Sequence, residues 1–204
     1  GTPAAPVAKG GTTDALWDGL NVYIAAFDSV AARVYKFTYV DSTRDYVPQA
    51  GFPVYLPTGG GSETMTLAKD SQGRLWTAYE ANLGVVVRHT VASDTDWAAA
   101  DTLGTLLLPD DIAAVVSFGN KIGVLWSNQN DYAFYFRWRN DTDALSAWSA
   151  PEVVYEGVSI ADDHIHMTVD GSGRIFAGLK DQFDHIMVAR RNLDGTWTVN
   201  PDVT

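Results

Sequence analysis

The run Asp162-Asp163-His164-Ile165-His166-Met167 sets two carboxylates directly ahead of two imidazoles spaced i, i+2. In an extended strand, residues i and i+2 share a face. His164 and His166 would therefore project together, and with Asp162 and Asp163 they offer oxygen and nitrogen ligands to a cation. His164, at the strand start, suits a metal ligand or a general base. His166, one step deeper, is expected to pack and hydrogen-bond inside the protein. A tight transition-metal site needs a third soft ligand; His185 is the nearest candidate, and the chain has no cysteine. His89, in the run "GVVVRHTV", is given no role.

Asp162-Asp163 is one of a series. Asp14, Glu63 and Asp110-Asp111 stand at comparable places ahead of short apolar runs. Such a ring of carboxylates suits a hard cation, Ca2+ or Mg2+, with Ca2+ the first candidate, held by Asp110, Asp111, Asp162 and Asp163. The competing expectation is that the same carboxylates cap strand starts by accepting backbone N–H bonds. A second set of polar groups, Glu80, Asn128, Asn130, Lys180 and His185, lies in loops beside Tyr79, Trp126, Tyr132 and Phe183. Amides, carboxylates and aromatic rings together are the chemistry of sugar binding, through paired hydrogen bonds and stacking on C–H faces. With Glu63 and His164 they form the candidate ligand-binding set.

The elements that would position these groups recur. The segments "NVYIAAFD", "GRLWTAYE", "NKIGVLWSN" and "GRIFAGLKD" align on Phe27, Tyr79, Trp126 and Leu179, separated by 52, 47 and 53 residues. Tyr46, Trp97, Trp148 and Trp197 follow at separations of 51, 51 and 49. Within a unit, short strands alternate with polar turns such as "DSQG" and "DGSG", whose residues favour tight hairpins. Four strands per unit of about 50 residues is the pattern of a β-propeller.

The expected fold is therefore all-β, with four blades of four antiparallel strands over residues 13–61, 62–111, 112–163 and 164–204 in a single domain. The last unit is expected to lack its fourth strand, and residues 1–12 could supply it and close the ring. The alternative is a four-blade piece of a larger propeller.

The stretches "DSQGRLW" and "DGSGRIF" resemble blades of bacterial exported β-propellers, in the broad sialidase-like and sensor-propeller group. The resemblance is specific to architecture; an extracellular or periplasmic location is a separate expectation. It does not imply sialidase activity: the Asp-box S-x-D-x-G-x-x-W is not matched in register, and no arginine triad is apparent.

The 204 residues carry a net charge of −11, which opposes nucleic-acid binding and attraction to anionic membranes. No apolar run approaches the roughly 20 residues of a membrane span. No phosphate loop, dinucleotide fingerprint or zinc-protease helix occurs. These observations favour an exported recognition module that binds a glycan or a protein ligand on the face shared by the d–a and b–c loops, and leave catalysis open. The enzyme alternative is a glycoside hydrolase using pairs such as Glu63 with Asp162 or Asp111 with Glu80. A polysaccharide lyase would use His164, Tyr79 and Lys180. A third alternative is a structural unit that self-associates through open blade edges.

Overall fold

The computed structural model describes residues 13–28, 31–57, 63–201 and 203. Strands β1 (Thr13–Trp17), β2 (Asn21–Asp28), β3 (Ala31–Val40) and β4 (Asp45–Pro48) form the first antiparallel sheet, with β5 (Val54–Leu56) also paired to β3. The second holds β6 (Thr66–Lys69), β7 (Leu75–Ala81), β8 (Gly84–His89) and β9 (Asp101–Thr105). The third holds β10 (Ala113–Phe118), β11 (Lys121–Asn128), β12 (Ala133–Asn140) and β13 (Glu152–Glu156). The fourth holds β14 (Ile165–Val169), β15 (Ile175–Lys180), β16 (Ile186–Arg191) and β17 (Trp197–Asn200).

The fourth sheet corrects one expectation. It has its own outer strand, because Trp197–Asn200 pairs with Val188–Arg191. The turn "NLDGTW" supplies the reversal: Asp194 Oδ1 accepts the Thr196 N–H at 3.0 Å, and Gly195 takes φ +89. Residues 1–12, expected as a closing strand, lie outside the described residues.

Hairpins between the first and second strands of sheets two and four are fixed by an aspartate. Asp70 Oδ1 accepts the backbone N–H groups of Gln72 and Arg74, and its Oδ2 accepts Arg74 Nε–H and the Trp76 indole N–H. Asp170 repeats the arrangement with Ser172 and Arg174. Gly73 and Gly173 then take φ +83 and +90, a conformation that disfavours side chains with a Cβ.

The sheets bury their faces against one another, so the core is a series of seams. Tyr79 packs in the seam with the first sheet, Trp126 in the seam with the second and Leu179 in the seam with the third. Each therefore faces the preceding sheet. Phe27 does not: it packs towards the second sheet, and Ala26 takes the other face with Tyr35 and Phe37. The first unit is thus shifted by one residue against the alignment read from sequence, and a one-residue slip reverses every side chain in a strand.

The innermost strands β1, β6, β10 and β14 line a central cavity of about 370 Å3. Asp14 Oδ2 accepts the Leu67 N–H at 2.8 Å, and Thr66 Oγ1 accepts the Val115 N–H at 2.9 Å. These two bonds tie β1 to β6 and β6 to β10. Register with the second strands places Ala114 and His166 at the same position as Thr66, opposite Leu125 and Gly178 as Thr66 is opposite Ala78. His166 was expected inside the protein; it is exposed instead, because it faces outward from the last sheet, where no further sheet is described.

Candidate functional site

In the second and third sheets the turn between second and third strands and the connection from the fourth strand to the next sheet emerge at the same end, and the corresponding turn of the fourth sheet lies there too. That end gathers all the candidate site residues. They fall into two groups with different chemistry.

The first group sits at the fourth sheet. Lys180, the last residue of β15, reaches three carboxylates: Asp162 at 2.8 Å, Asp184 at 3.2 Å and Asp163 at 3.9 Å. The bonds to Asp162 and Asp184 lift the lysine pKa above its ordinary value. Burial pushes Asp162 up, but the Lys180 bond and the Asp163 N–H outweigh it and hold Asp162 below its usual range. His164 Nδ1 contacts Asp163, with the imidazole mostly exposed. The following loop is built by Asp181, whose Oδ1 accepts the N–H groups of Phe183 and His185 while its Oδ2 meets His185 Nδ1 at 2.9 Å. That contact favours a proton on Nδ1 and leaves Nε2 facing outward, an acceptor in the neutral ring. Phe183 is 65% exposed, with its ring centroid 6.1 Å from that of His185.

The second group lies in the seam between the second and third sheets and turns inward. Glu80 is 2% exposed and Asp111 1%. Glu80 accepts the Leu83 N–H at 2.8 Å, and Asp111 accepts those of Leu108 at 2.7 Å and Gln129 at 3.2 Å. Burial first, then the Asp111 charge, push the Glu80 pKa from 4.5 up to about 7. Burial also raises Asp111, against the hydrogen bonds it accepts. Asn128 is buried and bonds Asp131, whereas Asn130 Nδ2 donates to the Leu106 carbonyl. Asp111 and Glu80 are therefore bonded to backbone amides, the arrangement of strand and turn caps. Tyr79 is fully buried and its hydroxyl accepts Arg88 Nε–H at 2.9 Å, so it does not reach the surface as a lyase acid would. Glu63 is exposed ahead of β6.

Of the four residues expected to hold a metal, two come together. Asp162, Asp163 and His164 place ligand atoms within 4.8 Å of one another, while Asp110 and Asp111 are not part of that cluster. The Lys180 ammonium is itself a cation bound to Asp162. Replacing Lys180 by Met is therefore expected to create a calcium response: millimolar Ca2+ should raise the melting temperature of the variant and leave the wild type unchanged, read by differential scanning fluorimetry.

One feature of this end was anticipated only in part, through the loop aromatics Tyr132 and Phe183. Leu83, Leu106, Tyr132, Val158 and Phe183 are all large, apolar and exposed at the tips of these loops. Leu83, Leu106 and Tyr132 adopt φ of 59, 64 and 55, where Gly or Asn costs less. The signal was available as recurrence: Leu83 and Tyr132 are 49 residues apart, and Leu106 and Val158 are 52 apart.

No family model matches the chain, and no curated protein matches it. Solved structures do. The fungal lectin of Aleuria aurantia, described as a six-bladed β-propeller with a novel mode of fucose recognition, superposes with a TM-score of 0.66 at 14% identity. That match covers 95% of this chain and 62% of the lectin. The lectin BP39L of Burkholderia pseudomallei gives a TM-score of 0.71 at 13% identity, over 94% of this chain and 54% of that one. The fold is a β-propeller. The catalytic domain of a GH62 α-L-arabinofuranosidase from Coprinopsis cinerea also matches, with a TM-score of 0.57 at 10% identity over 92% of this chain and 66% of that one. The propeller thus spans about three-fifths of the length of the Aleuria lectin. Among the described residues, no helix is long and apolar enough to cross a membrane.

Proposed function

We propose that this propeller is a carbohydrate-recognition module, and that it binds sugar at the exposed loop of the fourth blade. The observation that carries this reading is the pairing of Phe183 with His185, Asp184 and Lys180. An exposed phenyl face can stack on the apolar C–H face of a pyranose. Beside it, His185 Nε2 and the exposed Asp184 carboxylate accept hydroxyl donors, and the Lys180 ammonium donates to a ring or hydroxyl oxygen. His164, Asp162, Glu63 and Asn130 lie at the same end and extend the polar rim. The likeness to lectins supports the class, and the identity of the sugar is for a glycan array to establish.

Catalysis has weaker support. The buried pair Glu80 and Asp111 is capped by backbone amides, and the acids around Lys180 are neutralised by it, so neither pair is arranged as an acid opposite a free base. An extracellular or periplasmic setting would suit a glycan ligand.

Isothermal titration with the best array ligand tests the reading. Phe183→Ala is expected to weaken binding by about tenfold or more, a loss of roughly 1.4 kcal/mol or greater. The exposed position predicts an unchanged melting temperature. Unaltered affinity in Phe183→Ala and His185→Ala would remove this loop from the binding site.

A further inference from the structure

Exposed apolar side chains are ordinary when they stand singly, whereas contiguous ones mark a contact surface. The loop tips of the second and third blades are contiguous. The Leu107 N–H donates to the Leu83 carbonyl at 3.1 Å, which sets the β7–β8 turn beside the connection that follows β9. Asn130 Nδ2 donates to the Leu106 carbonyl at 2.6 Å and carries the line into the third blade. There the Gly157 N–H donates to the Tyr132 carbonyl at 3.1 Å and brings Val158 alongside Tyr132. Leu83, Leu106, Tyr132 and Val158, with exposures of 49%, 76%, 44% and 83%, thus form one apolar arc across two blades.

Two of its members are held at a cost to folding. Ala81 pairs with Gly84, so Asn82 and Leu83 make a two-residue turn, with φ of 53 and 59. Turns of this kind favour Asn-Gly, and Leu stands here where Gly is preferred. Leu106 takes φ 64. A Cβ disfavours this conformation, which Gly adopts freely. The fold gains little in return, since much of each leucine stands in water. Apolar side chains kept in strained, solvated positions are characteristic of functional surfaces.

The charge around the arc defines what it can meet. The loops that carry it, residues 82–83, 106–112, 129–132 and 156–163, contain no Lys or Arg. Asp110, Asp131 and Glu156 within them are exposed. Anionic lipids would be repelled by these acids, and a second copy meeting this arc with its own would oppose like charges. The complementary surface sets cations between apolar groups. We propose that the loop tips of the second and third blades dock a protein segment in which apolar side chains alternate with Lys or Arg. Its apolar side chains seat on Leu83, Leu106, Tyr132 and Val158, and its cations meet the acids at the rim. The proposal does not rest on the sugar-binding reading, because Phe183, Asp184 and His185 belong to the fourth blade and enter neither the arc nor its test.

Fluorescence anisotropy on the full chain tests it with three short labelled peptides, one of alternating Leu and Lys, one of Leu and Glu, and one of Ser and Lys. The Leu/Lys peptide is expected to bind, and the other two to bind about tenfold more weakly or worse. Replacing both Leu83 and Leu106 by Gly keeps every charge and every backbone donor and acceptor of the two loops. That variant should bind the Leu/Lys peptide about tenfold more weakly, with a melting temperature level with the wild type or above it. Leu193→Ser, at an exposed leucine of the β16–β17 turn at the opposite end, should change neither quantity. The proposal is overturned if the Leu/Lys peptide does not bind, or if the Ser/Lys peptide binds as tightly, since charge alone would then suffice. Unchanged binding in the double glycine variant overturns it too, and so does a lowered melting temperature, which would assign the leucines to the fold. Phosphatidylcholine vesicles that capture the wild type and not the double glycine variant would make the occupant a lipid surface instead.

Discussion

Glu80→Gln should make the protein more stable at pH 8 and leave it nearly unchanged at pH 4.5. The Glu80 carboxyl is buried in the seam between the second and third blades, close enough to Asp111 for the two charges to repel, and its pKa is raised from 4.5 to about 7. A carboxyl whose folded pKa exceeds its unfolded value binds its proton more tightly in the native state. Its contribution is fully favourable below about pH 4.5 and declines as pH rises through about 7. Above that, holding the ion buried costs about 3 kcal/mol as an upper figure, since each pKa step is worth roughly 1.4 kcal/mol. Gln keeps an oxygen to accept the Leu83 N–H and carries no charge. A gain of about 5 °C in melting temperature at pH 8 is the expected result. Equal gains at both pH values would assign the effect to packing instead.

Asp70→Ala is expected to be the more damaging of two substitutions in one repeated motif. Asp70 and Asp170 each organise a D-x-x-G-R hairpin turn, with the same bonds to backbone and arginine. Their surroundings differ. The Asp70 side chain is 0% exposed and also holds the indole N–H of Trp76, itself fully buried. Arg139 stacks on that indole with its guanidinium carbon 5.0 Å from the ring centroid, and Asp141 from the third blade accepts Ser71 N–H and Oγ–H. Removing Asp70 strands a buried donor and the Arg74 charge together, a loss of about 3 kcal/mol. That corresponds to roughly 8 °C in melting temperature. Asp170 is 27% exposed, and its loss should lower the melting temperature far less, because water can replace its bonds. Similar losses at both sites would show that the turn alone, and not its seam, sets the cost.

The strands and their grouping were legible because the signals that specify them are local. Apolar alternation and Asp/Gly turns fixed the hairpins, and recurrence of large residues fixed the period. The outer strand of the last unit was misjudged because Trp197–Asn200 is only four residues long, alternates half-buried with exposed positions and carries no continuous apolar run. Loop membership gathered the candidate residues, Glu80 and Asp111 among them, at one end of the sheets, but a sequence does not say which polar loop residues turn inward to satisfy backbone groups. Lys180 shows the same limit from the other side: its neighbours Asp162 and Asp163 come from a connection some 20 residues away, and only the fold makes it their counterion. His166 was placed inside by its strand, whereas among the described residues no further sheet packs on its face, and no local pattern encodes that.

The shifted register of the first blade bears on any attempt to build an idealised blade from this protein. Averaging the four units on Phe27, Tyr79, Trp126 and Leu179 would combine a side chain facing the following sheet with three facing the preceding one. The resulting consensus would mix the two faces at every position of the second strand, and a tandem array made from it would pack badly at each joint. Aligning Ala26, rather than Phe27, with Tyr79 restores the parity. An array derived from the second and third blades alone avoids the fault, and its cooperativity on heating would report how well successive blades were matched.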